Sequence, residues 1–122
     1  MRAIILATML VAAPAAAAEQ FDLVCTADKE EQRYRVDLAS GEYCFGVCER
    51  IMKIGEVTSG MITLYDDKPT PPYNITSYNR INRLNGDWEW YNHDPSYTTT
   101  QDVRGSCKRA EFTGLGASKR RF

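Results

Sequence analysis

The chain has little of what catalysis and metal binding usually require. It contains a single histidine, no Gly-x-Ser-x-Gly nucleophile elbow and no glycine-rich phosphate loop. Its cysteines do not form the Cys-x2-Cys pairs of a zinc ribbon. These absences predict a domain that is not an enzyme, has no cofactor and holds no metal ion.

The single histidine, His93, keeps one enzymatic alternative open. A general base needs a carboxylate to orient it and a nucleophile within reach. Asp94 follows His93 directly, but adjacent side chains on a strand point to opposite faces. An ordinary turn histidine is therefore the favoured interpretation, and a small hydrolase that uses His93 is the alternative.

The sequence also lacks an apolar run long enough to cross a membrane. The longest one, Ala3–Ala13, has 11 residues, whereas a spanning helix needs about 20. Arg2 precedes this run, and Pro14 and four alanines follow it, which is the pattern of a cleavable secretory signal peptide. We expect a signal peptide over residues 1–18, and a single small domain over residues 19–122 that is periplasmic or secreted and has no membrane span.

An excess of charge of one sign is missing as well. Arg2 is the only charged residue of the predicted signal peptide, so the remainder has 14 Lys and Arg against 16 Asp and Glu, a formal net charge of −2. This balance gives no electrostatic reason to expect nucleic acid as a partner.

Four cysteines are present in the exported part, and an even number in a short secreted chain predicts a disulfide framework. Three pairings are possible. The spacing favours Cys44 with Cys48, which are separated by a short flexible loop, and Cys25 with Cys107, which lie near opposite ends of the domain. The second bond would close a long loop and stabilise a domain with a small core.

Alternation of apolar and polar residues indicates strands throughout. Phe21, Leu23 and Cys25 share one face of the first strand, and Tyr34 and Val36 share one face of the second. Short alternating segments separated by turn signals predict an all-β fold, a small antiparallel β-barrel or β-sandwich of about seven or eight strands.

The strongest turn signal is Asn85-Gly86, which suits a two-residue type I′ hairpin. That loop length would place Arg83 opposite Trp88 and Ile81 opposite Trp90. Both tryptophans would then face the core, with Arg83 over the ring of Trp88.

Aromatic residues cluster in the second half of the chain. The alternation that buries the tryptophans leaves Tyr78 and Tyr91 together on the opposite face, and Tyr73 follows a proline-rich loop. Exposed tyrosines can stack on sugars or peptides, so Tyr73, Tyr78 and Tyr91 are the candidate binding residues.

Five landmarks carry a family resemblance: Phe21-x-Leu23-x-Cys25, Tyr34-x-Val36-Asp37-Leu38, Tyr43-Cys44-x3-Cys48, Asn82-Arg83-x-x-Gly86 and Gly105-x-Cys107. In these the chain resembles small exported disulfide-containing proteins of Gram-negative bacteria. Because the landmarks are cysteines, turns and strand residues, the resemblance implies no functional residue. By architecture the chain is also similar to the periplasmic lysozyme-inhibitor barrels, a likeness of fold alone.

These observations predict a non-catalytic binding module of the periplasm or envelope, whose partner is a protein or a glycan of the cell envelope. A protein inhibitor of an extracellular hydrolase is the second hypothesis. It would require a rigid exposed loop, for which Asp67–Tyr73 is the candidate.

Overall fold

The computed structural model describes residues 19–97 and 100–116, so the predicted signal peptide lies outside the described residues. The described chain contains β-strands and connecting turns, and the all-β antiparallel prediction is confirmed. The strands are β1 (Gln20–Ala27), β2 (Glu30–Asp37), β3 (Glu42–Phe45), β4 (Met52–Lys53), β5 (Glu56–Val57), β6 (Met61–Asp67), β7 (Thr76–Asn82), β8 (Asp87–His93) and β9 (Thr100–Ala110).

The nine strands form one antiparallel sheet in the order β4-β3-β2-β1-β9-β8-β7-β6-β5. The two outermost strands are separated in sequence only by Ile54 and Gly55. Ile54 N donates to Gly41 O beside β3 at 2.8 Å, and Gly55 N donates to Leu64 O in β6 at 3.0 Å. The segment Met52–Val57 therefore joins both ends of the sheet and gives it a barrel-like shape.

The predicted count of seven or eight strands is lower than the observed nine. Part of the difference is Glu42–Phe45, which is a strand where the sequence suggests only the loop that contains the cysteines. Another part lies at Ile51–Val57, where the alternation suggests one continuous strand. The segment instead leaves β3 after Lys53 and pairs with β6 from Glu56 onward, so it counts as two strands.

The side chains that point into the barrel follow the predicted alternation. In β1 and β2 the paired residues Phe21 and Val36, and Leu23 and Tyr34, are buried. Ile62, Ile81 and Trp88 continue this layer on the other side of the barrel, all at 2% exposure or less. The core lies inside the curl of the sheet and comprises Phe21, Leu23, Cys25, Ala27, Tyr34, Val36, Tyr43, Ile62, Leu64, Ile81, Trp88 and Cys107.

A buried polar side chain links opposite walls of the barrel. Asn79 in β7 donates from Nδ2 to the hydroxyl oxygen of Tyr34 in β2 at 2.8 Å, and its Oδ1 accepts from Trp88 Nε1 at 2.9 Å. The rings of Tyr34 and Trp88 also meet edge to face, with centroids 6.2 Å apart. Because its amide is satisfied on both sides, Asn79 is buried without the cost of an unpaired polar group.

The predicted hairpin register is wrong by two residues. Ile81, rather than Arg83, lies opposite Trp88, so Arg83 is in the loop and not over that ring. The loop runs from residue 83 to 86 because Asn82 Oδ1 accepts from Leu84 N at 2.8 Å and from Asn85 N at 3.2 Å, and Gly86 N donates to Asn82 O at 2.8 Å. Only Gly86 has the positive φ that a type I′ turn requires at both central positions. A shift of two preserves the face of each side chain, so both tryptophans still point inward.

The disulfides join Cys25 to Cys107 and Cys44 to Cys48, the pairing that the spacing favours. Cys25 and Cys107 lie directly opposite each other on the neighbouring strands β1 and β9. The first and last strands are therefore held together both by backbone hydrogen bonds and by a covalent bond.

The segment after β9 crosses the outer surface of β1 and β2. Its Thr113 donates from N and Oγ1 to the carboxylate of Asp22, at 3.2 and 2.6 Å. Arg33 Nε donates to the same carboxylate at 2.6 Å, and Asp22 is fully buried. Arg35 donates to Gly114 O at 3.2 Å. These bonds fix the segment against the barrel.

Candidate functional site

The two ends of the barrel differ in their loops. The β3–β4, β6–β7 and β8–β9 connections lie at one end, which we call the long-loop end. The opposite end, which we call the short-loop end, has the short connections β2–β3, β5–β6 and β7–β8. Long loops at the mouth of a barrel commonly surround a ligand site, so the interior of the long-loop end is the first candidate for one.

A cavity of about 150 Å³ lies inside the barrel toward this end. Five aromatic rings dominate its lining, and they come from β2, β3, β6 and β8. The lining residues are Gln32, Tyr34, Tyr43, Phe45, Met52, Tyr65, Asn79 and Trp90. We refer to this space as the aromatic cavity.

The aromatic cavity is built on a fixed base. Tyr34 and Asn79 line it and belong to the hydrogen-bonded group that includes Trp88. Burial raises the pKa of Tyr34 well above its ordinary value, so its phenol stays neutral even in alkaline solution. Phe45, which is 52% exposed, forms part of the outer lip and lies 6.4 Å from the ring of Tyr34. The cavity therefore has a rigid inner wall and an accessible edge.

A layer of polar side chains lies two residues farther toward the long-loop end on strands β6, β7 and β8. Tyr65, Asn79 and Trp90 line the aromatic cavity, and the inward positions that follow them toward the opening are Asp67, Ser77 and Asn92. These three residues line a wider groove of about 660 Å³. The remaining groove residues are Ile75, Asp94, Tyr97, Thr100 and Gln101.

The charge of this region is negative. The pKa of Tyr43 is raised to about 12, chiefly by burial and further by its proximity to Tyr65 and to the carboxylate of Asp67. Asp67 therefore acts electrostatically on the wall of the aromatic cavity. In the described part of the chain, neither the lining of the cavity nor that of the groove includes a lysine or arginine. Lys68 contacts Asp66 instead, at 3.2 Å.

A second cavity, of about 280 Å³, lies at the short-loop end between core side chains and the loop 82–86. Two arginines line it, and both have partners within the protein. Arg83 donates to Thr58 O at 2.7 Å, and the guanidinium of Arg109 lies 4.3 Å from the centre of the Phe21 ring. These contacts give both arginines of this cavity a structural role.

The structure brings together two of the three predicted binding tyrosines. Tyr78 and Tyr91 are paired across β7 and β8, and their rings stack with centroids 5.2 Å apart. The guanidinium of Arg80 lies 4.1 Å from the centre of the Tyr78 ring and pairs with Glu89 at 2.6 Å. Tyr78 thus has a ring on one side and a cation near its face, so its own stacking surface is largely used within the protein.

Tyr73 lies apart from these two tyrosines, in the β6–β7 connection. It is 69% exposed, and within residues 19–97 and 100–116 it makes no ring contact. Asn74 N donates to Thr70 O at 3.0 Å, and Thr70 Oγ1 donates to Lys68 O at 3.1 Å, so the loop holds its own shape. A role of Tyr73, Tyr78 and Tyr91 in binding stays a prediction.

His93 lies at the end of β8. Its Nδ1 is 2.9 Å from Thr100 Oγ1 in β9. The groove at the long-loop end is lined by its neighbours Asn92 and Asp94 but not by His93. A hydrogen-bonded threonine does not orient an imidazole for base catalysis as a carboxylate would.

No family of known proteins matches the chain, and no curated protein or solved structure does so. Within residues 19–97 and 100–116, no helix has the length and apolar character needed to cross a bilayer. Nor do these ranges contain three or more His, Cys, Asp or Glu side chains that are grouped closely enough to hold a metal ion.

The sequence does not reveal the residues of the aromatic cavity as a site. Alternation correctly places Tyr34 and Trp90 inward, but inward aromatic residues are usually the packing of the core. Whether they fill the interior or leave a space depends on the curvature of the sheet and on the bulge in β6 between Thr63 and Tyr65. Neither of these features has a signal in a single sequence.

Proposed function

We propose that this protein is an exported, non-catalytic binding protein that holds a small, mainly apolar ligand in the aromatic cavity. The observation that carries the proposal is the lining itself, which consists of five aromatic rings and a methionine around a few fixed polar groups. Ligand sites typically combine apolar walls with a small number of positioned polar atoms. The rigid hydrogen bonds of Asn79 keep the inner wall in place before a ligand arrives.

The volume limits what the aromatic cavity can hold. A dry cavity of about 150 Å³ is large enough for one benzene ring. A ligand would therefore bury a single ring or a compact branched group between the aromatic side chains. The remainder of the ligand would extend along strands β6 to β8 toward the polar groove.

The proposed location is the periplasm or the extracellular medium. Two disulfides in a small domain are typical of an oxidising compartment. The expected signal peptide over residues 1–18 would deliver the chain there. Amino-terminal sequencing of the exported protein should find a chain that begins at or near Glu19, and a chain that begins at Met1 would contradict this part of the proposal.

Toluene is a suitable probe for the aromatic cavity because it matches one ring in size. We expect saturable changes in the ¹H–¹⁵N NMR spectrum at the indole N–H of Trp90 and at the backbone of Tyr65. Phe45→Ala should weaken this binding about fivefold or more, because it removes one wall of the cavity. Leu84→Ala is the matched control, since Leu84 is an apolar side chain 82% exposed at the opposite end. The proposal fails if no saturable change occurs, or if the changes are confined to the short-loop end.

A protein inhibitor of an extracellular hydrolase is the second candidate function. The exposed loop around Tyr73, with its internal hydrogen bonds, supports it, because inhibitors present a preformed loop to their enzymes. Lysozyme is the first enzyme to test, given the resemblance in architecture. Wild-type protein should lower the rate of cell-wall lysis and Tyr73→Ala should not, whereas equal inhibition by both would remove the loop from this hypothesis.

A further inference from the structure

The composition of the cavity and groove narrows the class of ligand further. We infer that the group held in the aromatic cavity is a compact organic cation, a trimethylammonium or a similar alkylammonium group. The inference rests on the proposed function, because it specifies the ligand of the same cavity. It combines two independent features, the aromatic walls and the carboxylates of the groove.

The aromatic walls suit such a group. The face of an aromatic ring is negative, and it attracts a cation within about 6 Å of the ring centre. A quaternary ammonium has methyl groups on its surface and is more weakly hydrated than a primary ammonium. Its transfer from water into an apolar space therefore costs less free energy. Several rings around one space, here those of Tyr34, Tyr43, Tyr65 and Trp90 with Phe45 at the lip, form the lining that favours this cation.

The carboxylates supply the second feature. Asp67 points inward at the boundary between the aromatic cavity and the polar groove, and its charge acts on the phenol of Tyr43. Asp94 lines the same groove. With no lysine or arginine lining either space in the described ranges, the local field favours a positive ligand and disfavours a carboxylate or phosphate.

The charged neighbours of Asp67 along its own strand do not cancel this field. Asp66 and Lys68, on either side of Asp67, contact each other at 3.2 Å. Asp66 is paired with the outward-facing Tyr78 and is therefore on the outer surface of β6. Arg50 lines a separate surface pocket with Phe45 and Met52, where Glu49 accompanies it and water screens its charge. Asp67 is exposed and partly screened by water, so its contribution is modest and the aromatic rings must supply most of the selectivity.

Three compounds of nearly identical shape separate charge from size: choline, the neutral 3,3-dimethyl-1-butanol and the anionic 3,3-dimethylbutyrate. Their affinities for the wild-type protein are measured by NMR titration at pH 7 and low salt. We expect choline to bind about tenfold more tightly than the alcohol, and the carboxylate to bind most weakly.

Two variants test whether the preference for a cation depends on the carboxylate of Asp67. Asp67→Asn should weaken choline binding about threefold and leave the alcohol unchanged, because it removes a charge but keeps the shape. Asp66→Asn is the matched control, an adjacent carboxylate on the outer face, and it should leave both affinities unchanged. If both variants affect choline equally, the assignment of Asp67 to the site is overturned.

The ligand series also distinguishes this inference from the proposed function. If the alcohol binds as tightly as choline, the cation inference is wrong and the apolar cavity remains a site. If choline, the alcohol and toluene all fail to produce saturable changes at Trp90, the inference and the proposed function are both overturned.

Discussion

The two disulfides should differ in their contribution to stability. In the chain-entropy model a disulfide destabilises the unfolded chain in proportion to the logarithm of the loop that it closes. The Cys25–Cys107 bond spans 82 positions and the Cys44–Cys48 bond spans 4. These lengths correspond to about 4.5 and about 2 kcal/mol at 25 °C.

Burial does not explain such a difference. Cys25, Cys44, Cys48 and Cys107 are each at most 9% exposed, so alanine at either pair removes a similar amount of buried sulfur. The cost of the space left behind is therefore similar in the two double variants. Strands β1 and β9 keep their backbone pairing without the disulfide, so the Cys25→Ala/Cys107→Ala variant should still reach the native fold.

Urea unfolding at 25 °C, followed by the fluorescence of the buried Trp88, measures both effects. With a slope of about 1.5 kcal/mol per molar urea, the midpoint should fall by about 3 M for Cys25→Ala/Cys107→Ala and by about 1.3 M for Cys44→Ala/Cys48→Ala. An equal or larger loss in the second variant would refute the reasoning. It would mean that the packing of Cys48 against Gly116, in the segment after β9, matters more than the entropy of the unfolded chain.

Three further predictions test other parts of the fold. Asp22→Asn should lower the free energy of unfolding by about 2–4 kcal/mol, because it removes the charge that three buried hydrogen bonds require, and urea unfolding measures the loss. Gly105→Ala should destabilise the protein by more than about 2 kcal/mol, because its Cβ would overlap a carbonyl oxygen of β1, whereas Gly60→Ala, with open space around it, should have little effect. The raised pKa of Tyr34 and of Tyr43 means that the folded state retains protons that the unfolded state loses above pH 10. The contribution of these tyrosines to stability should therefore be constant from neutral pH to pH 10 and fall above it by about 1.4 kcal/mol per pH unit for each tyrosine. Tyr43→Phe should make this alkaline decline shallower, and an unchanged slope would contradict the assignment.

The alternation in the sequence predicts much of the fold correctly. Phe21, Leu23 and Cys25 point inward as expected, because a strand with one buried face must place its apolar side chains every second residue. The same rule places Trp88 inside even though the predicted hairpin register was wrong. Burial depends on the parity of a position, and a shift of two residues does not alter parity.

The register itself could not be read from the turn dipeptide. Asn85-Gly86 is a strong signal for a two-residue loop, but the side chain of Asn82 accepts two backbone hydrogen bonds and stabilises a longer one. Within the loop from residue 83 to 86, only Gly86 then adopts positive φ. The hydrogen bonds accepted by Asn82 therefore outweigh the preference of Asn85-Gly86 for a two-residue turn.

The candidate site was less accessible to sequence reasoning than the fold. The binding residues predicted from the sequence include Tyr78 and Tyr91, whose rings stack against each other in the structure. The aromatic cavity is also lined by Tyr43, beside the cysteine loop, and by Tyr65, which follows the buried Leu64 and points inward only because of the bulge in β6. A space between inward side chains is a property of three-dimensional packing, and alternation contains no information about it.

The segment Met52–Val57 has a consequence for how the protein behaves before it is fully folded. It covers the edges of both β3 and β6, and it does so through two strands of only two residues each. Until it docks, both edges expose unpaired N–H and C=O groups, which are templates for pairing with another molecule. A small, disulfide-bonded barrel can therefore still aggregate through the edges of β3 and β6 while it folds, and its solubility at that stage depends on how quickly these few residues dock.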